Sequence, residues 1–113
     1  MSILVTATII ALIYSSAWGA SFNSGEQLLA KCQSGESPYV IWCTGYLQGM
    51  ADADDARVTS GDIKREICIA KDKVSNKQLR SSVIEYLKKH PEDLQSPAGS
   101  LVPKAYKKAY PCE

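Results

Sequence analysis

One long helical pattern decides the fold, where residues 38–55 read PYVIWCTGYLQGMADADD. Pro38 suits the first turn of a helix, because its missing N–H group loses no hydrogen bond there. After it, residues recur at intervals of three and four, which is the period of one face of an α-helix. The positions of this face are apolar except for the last one: Val40, Cys43, Leu47, Met50 and Asp54. The stretch therefore predicts a helix that buries one side.

Two features of this helix are unusual. Gly45 and Gly49 lie four residues apart, although glycine in a helix costs about 1 kcal/mol relative to alanine. Two explanations are equally good: another backbone approaches the helix closely at these positions, or the helix simply tolerates the cost of the two glycines. The helix is expected to end in Asp52, Asp54 and Asp55, although acids near a helix C-terminus oppose its macrodipole. A locally unfavourable placement of this kind is typical of a functional surface, and the ordinary alternative is a solvated helix end.

Capping boxes predict two more helices. The pattern S-x-x-Q at Ser24–Gln27 opens a short first helix, which Ser34 and Gly35 end. The same pattern at Ser75–Gln78 opens a later helix, which Pro91 ends. The later helix carries an amphipathic stripe at helical spacing: Leu79, Val83, Tyr86 and Leu87.

A fourth helix is predicted at the end of the chain. Ser96 caps it and Pro97 occupies its first position. Pro103 then predicts either a kink or a later start at Val102, because proline cannot donate a backbone hydrogen bond.

The connection between the second and third helices is predicted to be irregular. Residues 58–62 are expected to form a loop, and residues 62–67 one further turn. No stretch shows the period-two alternation of a half-buried strand. We therefore predict an all-α fold, a small disulfide-stapled bundle of four main helices plus a short extra turn.

The first 20 residues have the composition of a targeting segment. An apolar run from Ile3 to Ile13 has the length of a signal-peptide core, and small residues follow it. Cleavage is predicted near Gly19 or Ser21, although no Lys or Arg precedes the run. A buried N-terminal helix or a membrane anchor is the alternative, but a spanning helix needs about 20 apolar residues. We therefore expect residues 1–20 to be a signal peptide, residues 21–113 to be a single exported helical domain, and no stable membrane anchor to remain after cleavage.

Four cysteines lie in the predicted mature chain. An even number in a short exported chain predicts two disulfides, and the wide spacing of the four does not suit a zinc site. If the helices run simply up and down, Cys32 pairs with Cys43 and Cys68 with Cys112. A folded-back loop would instead pair Cys43 with Cys68 and leave Cys32 for Cys112. The first pairing is favoured.

Composition excludes several classes of function. The chain has 113 residues with 13 Lys and Arg against 12 Asp and Glu, so it is nearly neutral. A nucleic-acid binder would usually show a basic excess, and we expect no nucleic-acid partner. A single His gives little material for a metal site or for acid–base catalysis, so we expect no cofactor, no metal and no enzymatic activity. His90 precedes Pro91 at a helix end, where capping the last carbonyl groups explains it.

A charged segment is the best candidate for binding a partner. It is rich in both signs of charge, is expected to form a loop, and ends at Cys68, which would hold it in place. An ordinary solvated connection is the alternative. The candidate partner-binding residues are Asp54, Asp55, Arg57, Asp62, Lys64 and Arg65.

Six pieces of sequence, in order, resemble a known family. The pieces are Phe22-x-Ser24-Gly25-x-x-Leu28-Leu29-x-x-Cys32, Cys43-x-Gly45-Tyr46-Leu47-x-Gly49-x-x-Asp52, Ile67-Cys68-Ile69, Val74-Ser75-x-x-Gln78-Leu79, Tyr86-Leu87-x-x-His90-Pro91-Glu92 and Ala109-Tyr110-Pro111-Cys112. Together they are similar to the Rap/Tai family of periplasmic immunity proteins of type VI secretion. The resemblance implies an all-helical, often dimeric protein that performs no chemistry. It would neutralise a peptidoglycan amidase of the NlpC/P60 class by occupying the amidase cleft and blocking its Cys–His pair.

Other functions compete with this one. A periplasmic acid-stress chaperone is also small, helical and disulfide-bonded, and an orphan helical binding module would share the same fold. The aromatic residues Tyr39, Trp42 and Tyr46 lie at helical spacing, which is more typical of packing or of a dimer surface than of a ligand site.

Overall fold

The structure is a computed structural model that describes Ile3 and residues 21–113. The four main helices are α1 (Gly25–Gln33), α2 (Ser37–Thr59), α3 (Asn76–Lys89) and α4 (Ala98–Ala109), and a short 3-10 helix covers Pro91–Asp93. Within these described residues there is no β-strand, and the prediction of an all-α bundle is confirmed. Apart from Ile3, the predicted signal peptide lies outside the described residues.

Both predicted capping boxes are present. Ser24 Oγ accepts a hydrogen bond from the N–H of Gln27 at 3.2 Å, and Gln27 Oε1 accepts one from the N–H of Ser24 at 2.9 Å. The reciprocal bonds of Ser75 and Gln78 measure 3.1 and 2.8 Å. Each box satisfies two backbone donors that a helix start leaves without an intrahelical partner, which is why α1 and α3 begin where the sequence predicts.

The second helix is longer than predicted. It continues through Val58 to Thr59, so the loop begins later than residue 58. Gly61 ends it with a positive φ of 86°, and the N–H of Asp62 donates to the carbonyl of Arg57 at 2.9 Å. This arrangement is a Schellman motif, which needs a left-handed residue just beyond the helix end.

The extra turn predicted over residues 62–67 is wrong, because this segment bends at residues 62–63 and then continues without regular structure. Its end pairs with the C-terminal segment, where Ile67 forms a bridge with Pro111 and the N–H of Cys68 donates to the carbonyl of Tyr110 at 2.8 Å. Backbone groups bonded in this way cannot close a helical turn. The short extra turn of the fold lies instead at Pro91–Asp93.

The last helix begins one residue later than predicted. Pro97 is extended and forms a bridge with Ser24, while the N–H of Ala98 donates to the carbonyl of Asn23 at 2.8 Å. These contacts with the start of α1 hold Pro97 outside the helix. Pro103 lies inside α4, which nevertheless runs unbroken to Ala109, so the alternative start at Val102 is wrong.

The core lies where all four helices meet. Its buried residues come mainly from one face each of α1, α3 and α4 and from the first half of α2. They are Leu28, Cys32, Cys43, Leu47, Ile67, Leu79, Val83, Leu87, Ala98, Leu101, Val102, Ala105 and Tyr106. None of the helices between residues 21 and 113 is both long and apolar enough to cross a membrane.

Two disulfides close the fold in the favoured pairing. Cys32 bonds to Cys43 with a Cα–Cα distance of 5.2 Å, and Cys68 bonds to Cys112 with a Cα–Cα distance of 5.0 Å. The first links α1 to α2 inside the core. The second ties the chain end to the extended segment that follows α2.

Candidate functional site

The second half of α2 and the chain that returns from it form a protruding element. None of residues 48–66 is buried, whereas Leu47 before them is fully buried and Ile67 after them is 4% exposed. We call residues 52–66 the arm. Because its side chains are not committed to the core, the arm is the largest continuous stretch between buried residues that is free to contact a partner.

An ion pair closes the arm across its width. Arg65 Nη2 lies 2.7 Å from Asp55 Oδ1, and both side chains are 42% exposed. The hydrogen bond and the positive charge of Arg65 lower the pKa of the Asp55 carboxyl below its ordinary value, so Asp55 stays charged at neutral pH. This contact links α2 to the segment that returns from it, and it restricts the conformations of the arm.

The returning segment runs antiparallel to α2. Lys71 Nζ lies 4.0 Å from Asp52 Oδ1, and further along Gln48 Nε2 donates to Asn76 Oδ1 at 2.8 Å. The Asp52 and Lys71 side chains are 75% and 68% exposed, so this pair is loose. Asp55 and Arg65 form a third pair of this series. Across the three pairs, residues later in the returning segment lie beside residues earlier in α2.

A cleft opens at the base of the arm, between α2, the returning segment and the start of α3. Its volume is about 250 Å³. Apolar side chains form its floor and polar side chains its rim, which is the usual composition of a surface that receives another protein's side chain. The lining residues are Gln48, Ala51, Asp52, Ile69, Lys71, Val74, Asn76 and Leu79.

The structure brings together three of the six predicted partner-binding residues. Asp54, Asp55 and Arg65 line one small hollow next to the cleft, together with Lys71. Lys64 instead lines a separate hollow on the C-terminal side, beside Lys107 and Cys112.

The other two predicted residues, Arg57 and Asp62, lie exposed at the tip of the arm. Their main chains form the Schellman bond that ends α2, so their positions depend on the turn at Gly61.

Sequence reasoning missed Lys71, the residue that completes this face. Lys71 borders both the cleft and the small hollow, and Asp52 faces it. Lys71 lies beyond Cys68, where we expected the charged segment to end. The only available signal was the second charged run, Lys71 to Lys73, which follows the cysteine directly.

The second disulfide anchors the arm. The N–H of Cys68 donates to the carbonyl of Tyr110, and the N–H of Cys112 donates to the carbonyl of Glu66 at 3.4 Å. Lys107 Nζ lies 2.7 Å from Glu66 Oε2, and this contact lowers the pKa of the Glu66 carboxyl. The start of the arm is therefore continuous with α2, and its end is fixed to the chain end by one covalent and several polar contacts.

The remaining candidate residues have structural contacts. His90 Nδ1 donates to the carbonyl of Tyr86 at 2.7 Å, and the two rings stack with centroids 4.0 Å apart, which confirms the capping interpretation. Trp42 stacks on Tyr46 with centroids 5.1 Å apart, and Lys31 Nζ lies 4.1 Å from the centroid of the Trp42 ring. These aromatic residues pack as predicted, while Tyr39 is 43% exposed.

The fold and the arm define a class of protein: a disulfide-stapled helical bundle that presents a charged, exposed arm to solvent. Comparison with known families places it more closely, because residues 24–112 match the model of the Rap1a immunity proteins. The chain belongs to this family, which confirms the resemblance seen in the sequence. Immunity proteins bind secreted toxins and are generally not enzymes. No curated protein and no solved structure matches the chain.

Proposed function

We propose that this chain is a periplasmic immunity protein that binds and blocks a peptidoglycan amidase effector of type VI secretion. The amidase is of the NlpC/P60 class, and residues 1–20 export the domain formed by residues 21–113. Family membership supports the immunity role. Two disulfides support an oxidising compartment outside the cytoplasm, because such bonds rarely persist where thiols are kept reduced.

The arm is the observation that carries this proposal. It is charged, contains no buried residue and is held at both ends. Ordering a flexible loop on binding costs about 0.5–1.5 kcal/mol for each side chain that is immobilised. An arm that is already ordered in the free protein avoids much of this cost, so it is suited to entering a cleft tightly.

Inhibition then needs no chemistry from this chain. An amidase of this class works with a Cys–His pair at the bottom of a groove, and an inserted arm excludes the peptide substrate from that pair. Asp54 carries the main electrostatic contact in this proposal, because Asp55 is already paired with Arg65. A carboxylate placed near a catalytic imidazolium would add a charge pair to the contact.

We also propose that the protein forms a homodimer. The supporting observation is Ile41 on α2, whose side chain is 72% exposed although it is large and apolar. Removing such a side chain from water on association is favourable. The change Ile41→Glu is therefore expected to shift the protein toward the monomer in analytical ultracentrifugation, and an unchanged sedimentation profile would count against a dimer through this face.

Co-purification with the amidase encoded beside this chain tests the immunity proposal. Residues 21–113 are expected to bind that amidase and to stop its hydrolysis of peptidoglycan. The double change Asp54→Lys with Asp55→Lys is expected to weaken binding by about 100-fold, since it reverses two charges at the arm.

Glu85→Lys is the matched control. Glu85 is also an exposed acid in an ion pair, with Lys89 Nζ 2.7 Å away, but it lies on α3 outside the arm. Its reversal is expected to leave inhibition intact. If the wild-type chain neither binds nor inhibits the amidase, the proposed function is wrong. If both variants inhibit equally well, the arm is not the inhibitory element.

A further inference from the structure

The two disulfides differ sharply in their surroundings. Cys32 and Cys43 are 3% and 0% exposed, and both belong to the core. Cys68 is exposed and Cys112 is half-buried. Cys112 also borders an open hollow of about 550 Å³. The second bridge is therefore the more accessible of the two to a dissolved thiol, while the first bridge is shielded.

We propose that the Cys68–Cys112 bridge is a site of thiol–disulfide exchange with a dithiol reductant, and that its redox state controls the arm. This inference rests on the proposed function only for its link to toxin binding. The chemistry and the change in the arm concern this chain alone.

The exchange consists of two balanced steps. A thiolate of the reductant attacks Cys68 Sγ, the bond to Cys112 Sγ breaks, and Cys112 leaves as a thiolate that takes up a proton. The reductant's second thiol, as its thiolate, then attacks the reductant's first sulfur, which is bonded to Cys68 Sγ in the mixed disulfide. Cys68 leaves as a thiolate and takes up a proton. The protein bridge gains two electrons and two protons, and the reductant becomes a disulfide.

Opening this bridge acts directly on the end of the arm. The bridge joins residues 44 positions apart in the chain, so its loss removes a long covalent closure. What remains at this point is the buried side chain of Ile67, the ion pair between Lys107 and Glu66, and the short backbone pairing of Ile67 with Pro111. Short isolated pairings of this kind are weak without a covalent link.

The effect reaches the charged face through a short path. Arg65, which pairs with Asp55, lies only three residues before Cys68. When the covalent link at Cys68 is lost, only Ile67 and the noncovalent contacts beside it hold the backbone that places Arg65 next to α2. The core is affected less, because its first disulfide and its buried side chains on the four helices remain in place.

Differential reduction tests the chemical part of the proposal. Residues 21–113 are incubated with dithiothreitol under native conditions, quenched at intervals with iodoacetamide and mapped by mass spectrometry. Cys68 and Cys112 are expected to become alkylated at least about tenfold faster than Cys32 and Cys43, because access limits exchange. Equal rates for the two bridges, or faster reduction of the buried bridge, would overturn the proposal that Cys68–Cys112 is the exchange site.

Hydrogen exchange tests the structural part on the same samples. The selectively reduced protein is expected to lose protection at the amides of Cys68 and Cys112, which donate to the carbonyls of Tyr110 and Glu66, while α1 keeps its protection. The double variant Cys68→Ser with Cys112→Ser should reproduce this pattern without reductant. Unchanged exchange at these residues in both samples would show that the bridge does not control the arm.

Binding to the neighbouring amidase separates this inference from the proposed function. If the oxidised chain does not bind, the proposed function is wrong. The differential reduction and hydrogen-exchange experiments still test the redox inference independently. If the oxidised chain binds, the selectively reduced chain is expected to bind at least about tenfold more weakly, because its arm must be ordered on binding. Equal affinity of the two forms would refute redox control of the arm.

Discussion

The Tyr106 hydroxyl donates a hydrogen bond of 2.6 Å to the main-chain carbonyl of Leu47. This contact joins α4 to α2 at the last fully buried residue of α2, and the arm leaves the bundle just beyond it. Burial raises the pKa of the Tyr106 phenol well above its ordinary value, so the phenol remains a hydrogen-bond donor well into the alkaline range.

Removing this hydroxyl should destabilise the bundle. We expect Tyr106→Phe to lower the free energy of unfolding by about 1 kcal/mol, which is typical of a lost buried hydrogen bond. Urea denaturation followed by circular dichroism measures the change. Tyr39→Phe is the control, because Tyr39 is 43% exposed, and it should leave the midpoint unchanged. Equal midpoints for the wild type and Tyr106→Phe would show that the contact contributes nothing to stability.

A methyl group at Gly25 should also be destabilising. A Cβ atom there would press against Leu101 Cδ1 and lie 3.3 Å from the backbone of Leu94. The Gly25 N–H donates to the carbonyl of Ser96 at 2.9 Å, so the backbone has little freedom to move away. We expect Gly25→Ala to cost about 1–3 kcal/mol, the range found for overpacked cores.

Gly99→Ala is the matched control for this substitution. Gly99 is exposed in α4, and nothing lies within 4 Å of a Cβ atom built there. We expect a gain of about 0.4–1 kcal/mol, because alanine restricts the unfolded chain. Thermal unfolding should therefore shift in opposite directions for the two variants, and a shift in the same direction would contradict the packing described at Gly25.

The arm ion pair should respond to acid. Because Arg65 lowers the pKa of Asp55, the pair stabilises the folded arm fully above the ordinary Asp value of 3.8 and loses this contribution as the pH falls through the lowered value. We expect Arg65→Ala to raise the NMR titration midpoint of Asp55. Lys89→Ala, which removes the partner of Glu85, should leave it unchanged. An Asp55 midpoint that is the same in the wild type and Arg65→Ala would mean that the pair does not form in solution.

The cysteine pairing can be checked without structural methods. The oxidised protein, unfolded but not reduced, should show no free sulfhydryl groups in thiol titration, because all four cysteines are bonded. Proteolysis and mass spectrometry should recover the Cys32–Cys43 and Cys68–Cys112 links. Four free thiols, or a link between Cys43 and Cys68, would contradict the fold around the arm.

Most of the helical architecture could be predicted because its signals are local. Each capping box satisfies its own backbone donors within four residues, and an amphipathic stripe needs only its own spacing. The errors arose where distant segments compete with local preference. Residues 62–67 form no helical turn because residues 66–68 bond to the C-terminal segment, and Pro97 stays outside α4 because it pairs with Ser24.

The candidate site was predictable only in part for the same reason. Charge and the nearby cysteine were enough to indicate the arm, and Asp54, Asp55 and Arg65 do lie together. The charged run from Lys71 to Lys73 did not by itself indicate that Lys71 would complete the same face, and no local pattern indicated that Lys64 would line another hollow. Such neighbours depend on how the returning segment aligns with α2.

By itself, the sequence determined that four helices form, the capping boxes of α1 and α3, the core stripes and the number of disulfides, since each of these follows from spacing and side-chain chemistry within a few residues. Only the tertiary structure decided which cysteines pair, which bridge faces solvent and which charges meet on the arm. These properties depend on contacts between residues far apart in the chain, such as Cys68 with Cys112 and Tyr106 with Leu47, and on the balance of burial around them.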